Sequence, residues 1–363
     1  MKKMLMVIVI LCISFILCGA DYKELDDICE NEHGFSFSET AENVMAGGSG
    51  LNIKTLFESI KEEFAGEIIN AFSSIISVLG TVFIFSLVSS MQHGFGNCRT
   101  GEICFFVVYS VVCASLLQNF SKTSQLAVGL IDNLVLFSNA AVPVIGTSVI
   151  ASGNFGVYSA MHPALIMTAS LSANIIKSIG VPALMLSLSL GVIGNVSGGF
   201  SLSDISKTIR NAALWMITGL LTLFSAAVAV CGMSAPSVNG VVMRGVKFVA
   251  RGAIPVLGGL LSDSLEAVMM GGVMLKNVLG TAGVCAVIIM MLYPLLKMGA
   301  VILVYKITAA FITPFCDRRI SSVINEVSGT LSCLIGFAAA EGVTVIVSLT
   351  SLINASNVGV MLR

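Results

Sequence analysis

Long apolar runs constrain this chain more than any other feature. A helix needs roughly 20 apolar residues to cross a bilayer, and eight runs approach that length. The eight runs are Ile68–Met91, Ile103–Phe120, Val157–Ile176, Val181–Phe200, Ala213–Met233, Val278–Leu296, Ala300–Phe315 and Leu331–Ile353. Ile131–Ile150 and Val241–Leu261 are further apolar stretches whose crossing is uncertain. We therefore predict an all-α, polytopic helical membrane protein with about 8 (range 7–10) transmembrane helices.

The composition supports the membrane class. Hydrophobic residues make up 56% of the chain and charged residues 11%, whereas soluble domains carry about 25% charged residues. The formal net charge is −1, so bulk electrostatics indicates no nucleic-acid partner. The membrane domain is expected to cover residues 68–353, with a C-terminal tail at 354–363. Ala300–Phe315 could form a tight hairpin with Val278–Leu296, because Pro294, Lys297 and Gly299 join them.

Residues 1–20 have the pattern of a secretory signal peptide. Lys2 and Lys3 form its basic start, Met4–Leu17 its apolar core, and Cys18–Ala20 a small-residue cleavage site. The alternative is an uncleaved first helix. Since a signal peptide directs the following chain across the membrane, we expect the acidic residues 21–67 to lie outside the cytoplasm.

The acidic segment divides into two parts. Residues 21–50 are rich in Ser and Gly, which predicts a flexible exported segment. Leu51–Glu67 has apolar residues at helical spacing and predicts an amphipathic helix. This helix either lies on a surface or binds a partner, or it simply leads into the first membrane span.

Ser234–Asn277 is the stretch with the most unusual pattern. Arg244, Lys247 and Arg251 fall at i, i+3 and i+7, so a helix places them on one face. Beyond them the chain carries a proline, two turn-prone glycines and two acids. These residues are Pro255, Gly258, Gly259, Asp263 and Glu266.

This pattern predicts a broken or re-entrant element. It would consist of a basic helix, a turn at Gly258–Gly259, and a short second helix with Asp263 and Glu266 in its first turn. Charged, broken backbone occurs at membrane depth only where protein or a watery cavity surrounds it. The element could therefore line a pathway or bind a sister subunit. The alternative is a basic helix lying against anionic headgroups.

A weak internal repeat is also visible. Ala141–Gly146 resembles Ala253–Gly258, and an offset of about 112 residues would divide the chain into two related units, residues 68–178 and 180–296. Paired Pro/Gly-broken segments of this kind point to the central site of a transporter. Chance recurrence of short apolar motifs is the alternative.

Charges within apolar runs are the remaining site candidates. Lys306 and Glu341 lie in the middle of consecutive runs, so antiparallel helices would place them at similar depth, where pairing lowers their cost. They could form an ion or gating site, or a structural pair. Asp132 is a weaker candidate, because its segment is less certain to cross. No nucleotide loop or hydrolase motif is present, and the cysteines lack metal-site spacing. We therefore expect no catalytic residues, metal or cofactor.

Two segments carry a family resemblance. They read GVVMRGVKFVARGAIPVLGGLLSDSLEAVMMGGVMLKNVLGTAG and YPLLKMGAVILVYKITAAFITPFCDRRI. The basic stripe, the P-V-L-G-G-x-x-S-D turn, the L-K-N and the Y-K-x-x-A-A-x-x-x-P occur in this order in the stage III sporulation protein AE family, which the chain therefore resembles. The match is strongest over residues 213–353.

The resemblance implies a function and partners. Members of that family are spoIIIA operon membrane proteins of endospore-forming bacteria, required for forespore development after engulfment. The resemblance places the chain in the mother-cell membrane around the forespore, within a secretion-like channel complex. Its partners would be other spoIIIA operon proteins, including a separate ATPase, and a forespore membrane partner. The main alternative is a secondary transporter of a small solute built on the internal repeat, and a membrane enzyme is the third.

Overall fold

The computed structural model describes most of the chain beyond residue 97. The described residues are 23, 25–29, 36–45, 66, 68–70, 72, 76, 80, 83, 98–196, 202–253, 258–314 and 318–361. They form seven α-helices and one π-helix. These are α1 (Phe37–Met45), α2 (Cys98–Ala151), α3 (Phe155–Ile175), the π-helix (Ile176–Gly180), α4 (Val181–Val196), α5 (Leu202–Ala253), α6 (Gly258–Ile312) and α7 (Arg318–Met361). The predicted all-α membrane class is confirmed.

Five helical segments among the described residues are long and apolar enough to cross a membrane. They are Phe105–Ala151, Phe155–Asn195, Leu202–Val228, Met269–Ile312 and Arg318–Asn357. Four of them contain at least 40 residues, which corresponds to about 60 Å at the rise of an α-helix, twice the hydrocarbon thickness. The run Ile68–Met91 and the predicted helix Leu51–Glu67 lie largely outside the described residues, and the predicted signal peptide lies wholly outside them.

Two of the polar segments that separate the apolar runs are helical in the structure. Ile103–Phe120 and Ile131–Ile150 are both parts of α2. The π-helix likewise joins Val157–Ile176 to the following run without a loop. Sequence periodicity marks where apolar residues stop, but a helix continues through polar residues wherever its backbone hydrogen bonds are kept.

The predicted hairpin at residues 278–315 is wrong. Helix α6 runs without interruption from Gly258 to Ile312 and passes through Pro294. One proline removes a single backbone donor, and membrane helices tolerate this loss when neighbouring groups satisfy the freed carbonyl. Lys297 remains on this helix, with its ammonium 5.9 Å from the centre of the Tyr293 ring.

The first segment of the proposed repeat is not broken. Ala141–Gly146 lies inside α2, which contains Pro143. In the corresponding segment, Ala253 is the last described residue of α5 and Gly258 is the first of α6, and residues 254–257 lie outside the described residues. Within the described backbone, the two segments therefore do not form the matched pair of interrupted helices that the repeat predicts.

The N-terminal acidic segment is ordered where it is described, so the prediction of flexibility is wrong for residues 25–29 and 36–45. Asp26 accepts a 2.9 Å hydrogen bond from the Ser38 backbone nitrogen, and the Ser36 and Ser38 hydroxyls donate to it. A carboxylate at this position satisfies free donors at the start of α1. Phe37 then packs edge-on against Phe137 of α2, with ring centres 6.2 Å apart. This segment therefore packs against the helical bundle.

Glycines allow several helices to approach closely. A Cβ at Gly272 of α6 would lie 2.5 Å from the Ser152 backbone nitrogen, at the turn between α2 and α3. At Gly342 of α7 a Cβ would meet the Met291 sulfur of α6 at 2.0 Å. Small residues are common at membrane helix interfaces because they bring backbones together. The packing of α6 against its neighbours depends on these positions.

Gly272 and its neighbour Gly271 provide a matched test. Gly272→Ala is expected to destabilise the protein by about 1–3 kcal/mol, because the new methyl group would collide with backbone atoms that cannot rotate away. Gly271→Ala should be neutral or slightly stabilising, since nothing lies within 4 Å of the position that its Cβ would take and alanine favours helix. Thermal unfolding of the two purified variants in detergent measures the difference. Equal transition temperatures would refute the close contact.

Candidate functional site

The structure describes the backbone of Ser234–Asn277, where a broken element is predicted, except at residues 254–257, between α5 and α6. Arg244, Lys247 and Arg251 are on α5, within the last three helical turns before its end at Ala253. Pro255 lies outside the described residues, as do the side chains of the three basic residues and of Asp263 and Glu266. Where the basic side chains point therefore stays a prediction.

Two parts of that prediction are wrong. The second helix is not short, because α6 has 55 residues. Gly258 and Gly259 are its first two residues rather than a turn, and no acid lies in its first turn. Asp263 and Glu266 come later on the helix, where the positive end of the helix dipole has largely faded.

The predicted Lys306–Glu341 pair is not formed. Lys306 is exposed on α6, whereas Glu341 of α7 is completely buried. Neither carboxylate oxygen of Glu341 has a hydrogen-bond partner. The pair is expected because Lys306 and Glu341 lie at similar positions along consecutive apolar runs. In the structure one side chain is exposed and the other is inside the bundle. The rotation of a helix about its axis decides which residues it exposes, and sequence position alone does not specify that rotation.

A different ion pair lies inside the bundle. Arg210 of α5 places a guanidinium nitrogen 3.1 Å from Glu326 Oε1 of α7. Their side chains are only 17% and 10% exposed, so both charges are largely removed from solvent. An unpaired charge in such surroundings is costly, and pairing therefore links the stability of α5 to that of α7.

Serines and glycines complete this site, which we call the Arg210–Glu326 cluster. The Ser206 hydroxyl lies 2.8 Å from Glu326 Oε1 and 2.7 Å from the Ser187 carbonyl oxygen, and its single proton can serve one of them at a time. Ser187 of α4 donates to the Ser206 carbonyl at 2.8 Å. The cluster thus connects α4, α5 and α7.

Two glycines make room for the cluster. A Cβ at Gly191 of α4 would lie 2.7 Å from Glu326 Cγ, and one at Gly329 would lie 3.1 Å from the Arg210 guanidinium. The absence of side chains at these positions lets the carboxylate and guanidinium meet between helices.

A more exposed ion pair joins α2 to the π-helix. Lys177 Nζ lies 2.5 Å from Asp132 Oδ1, and the two side chains are 32% and 47% exposed. Pairs with this much solvent contact contribute up to about 1 kcal/mol in water. π-helical turns often mark functional positions, and here the turn carries the lysine of the pair. The structure therefore gives Asp132 a partner that the sequence did not predict.

A buried lysine anchors the opposite end of α7. Lys276 of α6 is fully buried and donates to the Ser356 hydroxyl at 2.8 Å. The Asn154 side-chain amide donates to the Ser356 carbonyl at 3.1 Å and to the Ser152 hydroxyl at 3.0 Å. These hydrogen bonds, which we call the Lys276 cluster, join α6 and α7 to the turn after α2, where Gly153 has a positive φ of 79°.

Sequence reasoning misses these partners for identifiable reasons. Arg210 precedes the apolar run Ala213–Met233, and Glu326 precedes Leu331–Ile353, so the runs leave both charges outside the predicted spans. Glu326 lies between apolar residues that are buried in the structure, among them Val323 and Val327. These neighbouring apolar residues are the sequence signal that could have predicted a buried position for Glu326. Lys276 lies in the L-K-N motif, where a basic residue inside an apolar segment is visible.

Within the described ranges, no group of three His, Cys, Asp or Glu side chains is placed to hold a metal ion. The clusters join helices by charge and hydrogen bonding, and such joints can keep a bundle in one arrangement or, if broken, release it.

Comparison with known proteins decides the family. The family model described as stage III sporulation protein AE matches residues 35–356. The chain belongs to this stage III sporulation protein AE family. The matched residues contain the whole of α2 to α6 and nearly all of α7. The Arg210–Glu326 cluster and the Lys276 cluster both lie within them.

One curated relative is similar over most of the chain. Stage III sporulation protein AE of Bacillus subtilis (strain 168) is 24% identical over 290 residues, which cover 79% of this chain and 73% of the relative. No solved structure matches. Membership of the family assigns the chain a sporulation role and agrees with its apolar helices. The family name refers to a sporulation stage and not to a reaction.

The Arg210–Glu326 cluster can be tested against an exposed pair on the same helix. Glu326→Leu should lower stability by about 3–5 kcal/mol, because it leaves the Arg210 charge buried without its partner. Adding Arg210→Met should restore part of the loss. Asp204→Ala is the control, since the Lys207–Asp204 pair is 3.7 Å long and mostly exposed. Its effect should be below about 1 kcal/mol.

Unfolding of the wild-type protein and the three variants in detergent provides the measurement. A double variant no more stable than Glu326→Leu alone would show that the two charges are not coupled. The same result for the control and for Glu326→Leu would show that burial of the pair has no energetic consequence.

Proposed function

We propose that the chain is a non-enzymatic integral membrane subunit of the channel or secretion-like complex that links the mother cell and the forespore. In this role it is required for forespore development after engulfment, and it resides in the mother-cell membrane around the forespore. The observation that carries the proposal is the family match over residues 35–356 on a chain with five long apolar helices among its described residues.

The chemistry of the chain supports a subunit that depends on partners. The sequence has no phosphate-binding loop of the G-x-x-x-x-G-K-[ST] type, so energy from ATP would come from a separate ATPase. The other partners are further spoIIIA operon proteins and a forespore membrane protein. Most buried charges described above are engaged in contacts between helices, which suits a stable membrane scaffold.

The span Leu202–Val228 offers a surface for such partners. It is the least buried of the five candidate spans, because only 17% of its most apolar 18-residue segment is buried inside the bundle. Trp215 and Leu223 on it are 80% and 70% exposed. Tryptophan is favoured both at membrane interfaces and at protein contacts. This face is therefore available to lipid or to a sister subunit.

Purification from sporulating cells tests the complex. A tagged copy of the chain should co-purify with the spoIIIA operon proteins after mild solubilisation, whereas an equally tagged unrelated membrane protein from the same cells should not. The alternative of a solute transporter predicts instead that the purified chain alone moves solute in liposomes. Transport by the isolated chain together with no co-purified operon protein would overturn the proposal.

The N-terminal segment provides a test of orientation. We propose that residues 21–67 lie outside the cytoplasm. Glu42 is exposed on α1, so Glu42→Cys, in a variant without other reactive cysteines, should react with an impermeant maleimide in intact cells that carry the protein in the surface membrane, where its extracytoplasmic side faces the medium. Labelling only after the mother-cell cytoplasm is permeabilised would contradict this orientation.

Native Cys29 is an internal negative control for that experiment. It is fully buried, and burial, with the nearby Asp26 carboxylate adding to the effect, raises the pKa of its thiol to about 12. Because the thiolate is the reactive form, Cys29 should stay unlabelled at neutral pH while α1 remains packed.

A further inference from the structure

Glu341 differs from the other buried charged groups in this bundle. Its side chain is completely buried on α7, and neither carboxylate oxygen accepts a hydrogen bond. Glu326, on the same helix, has both an arginine and a serine as partners. An ionised carboxylate without partners in an apolar interior is costly, and binding a proton removes that cost.

The surroundings of Glu341 provide no compensating charge. The Ser172 hydroxyl of α3 lies close enough to interact with the Glu341 carboxyl group. It is placed to donate its one proton to the backbone oxygen of Thr168 or Ala169 instead, so neither Glu341 oxygen makes a hydrogen bond with it. On the side of α6, Met291 packs against the adjacent Gly342. Neither of these two neighbours supplies a positive charge.

Three of the described charged side chains on the packed helices have other partners. Asp132 is paired with Lys177, Arg210 with Glu326, and Lys276 with Ser356. No ion pair joins Glu341 to any other described titratable residue of the helices around it. These residues are Lys122, His162, Asp204, Lys207, Lys297, Lys306, Arg318 and Arg319.

Unpartnered polar atoms continue along the same face of α7. Ser348 lies seven residues beyond Glu341, which places the two on one helix face about 10 Å apart. The Ser348 hydroxyl is also buried without a hydrogen-bond partner. Groups that serve packing alone are normally satisfied, and ionisable groups kept in a membrane interior at a cost commonly bind protons or ions.

We propose that Glu341 is a proton-binding site in the membrane domain. It holds its proton in the closed arrangement seen here, and releases it when the bundle rearranges to bring water to the carboxyl group. The O–H bond breaks to leave a carboxylate and a proton in that water, so no further reactant is needed. The site couples the protonation of one residue to the packing of α7 against α3 and α6.

Infrared spectroscopy of the full chain in lipid tests the protonation state. At neutral pH, the wild-type protein should show the C=O stretching band of a protonated carboxylic acid, and Glu341→Gln should lose it. Glu326→Gln, on the same helix, should keep this band and lose carboxylate absorption instead. Loss of carboxylate absorption in Glu341→Gln would overturn the proposal.

Spore formation tests whether the proton is used. Glutamine has nearly the shape of a protonated glutamate but cannot release a proton. Glu341→Gln should therefore abolish sporulation at a normal protein level, whereas Glu341→Asp should retain part of it. Normal sporulation with Glu341→Gln would assign the residue a purely structural role and overturn the proposal.

A folding defect can be separated from these outcomes. If Glu341→Gln lowers the protein level, the infrared comparison is made with Glu341→Asp, in which the band of the protonated acid should shift. An unshifted band would also overturn the proposal. Since the infrared result does not depend on any partner, it is independent of the proposed complex.

Discussion

The contact between Arg210 and Glu326 is the constraint on which the arrangement of α4, α5 and α7 depends. Two charges meet at 3.1 Å between α5 and α7, and neither could remain there alone without a large cost. The contact also requires Gly191 and Gly329 to leave space, and Ser187 and Ser206 to supply hydrogen bonds. The register of three helices is therefore defined by one polar cluster.

Close backbone contact and buried polar groups act together elsewhere in the bundle. At Gly272, helix α6 approaches the backbone of Ser152, and one turn further along α6 Lys276 reaches the Ser356 hydroxyl. Without the close approach, the lysine would have fewer partners within reach. Apolar packing between membrane helices is weakly directional, because lipid is as apolar as the side chains. Polar contacts of this kind give the packing its specificity.

The helix class and the family resemblance follow from local sequence. Apolar runs predict membrane helices, and the quoted motifs predict the family to which the chain belongs. The number and continuity of helices do not follow in the same way. The sequence pattern predicts a hairpin at Pro294 and a break at Pro143, yet α6 and α2 pass through them. Proline removes one hydrogen bond, and whether a helix continues depends on neighbours that are distant in sequence.

The sequence by itself determined that most of this chain is helical and apolar, and that charges interrupt its apolar segments, because hydrophobic spacing and composition are local properties. Only the tertiary structure decided which charges meet. Lys306 and Glu341 lie at similar positions along consecutive runs, but Lys306 is exposed and Glu341 is buried without a partner. Arg210 and Glu326 are 116 residues apart and share a hydrogen bond. Helix rotation and register, which arise from packing among many side chains, place a charge in contact with a partner or leave it alone.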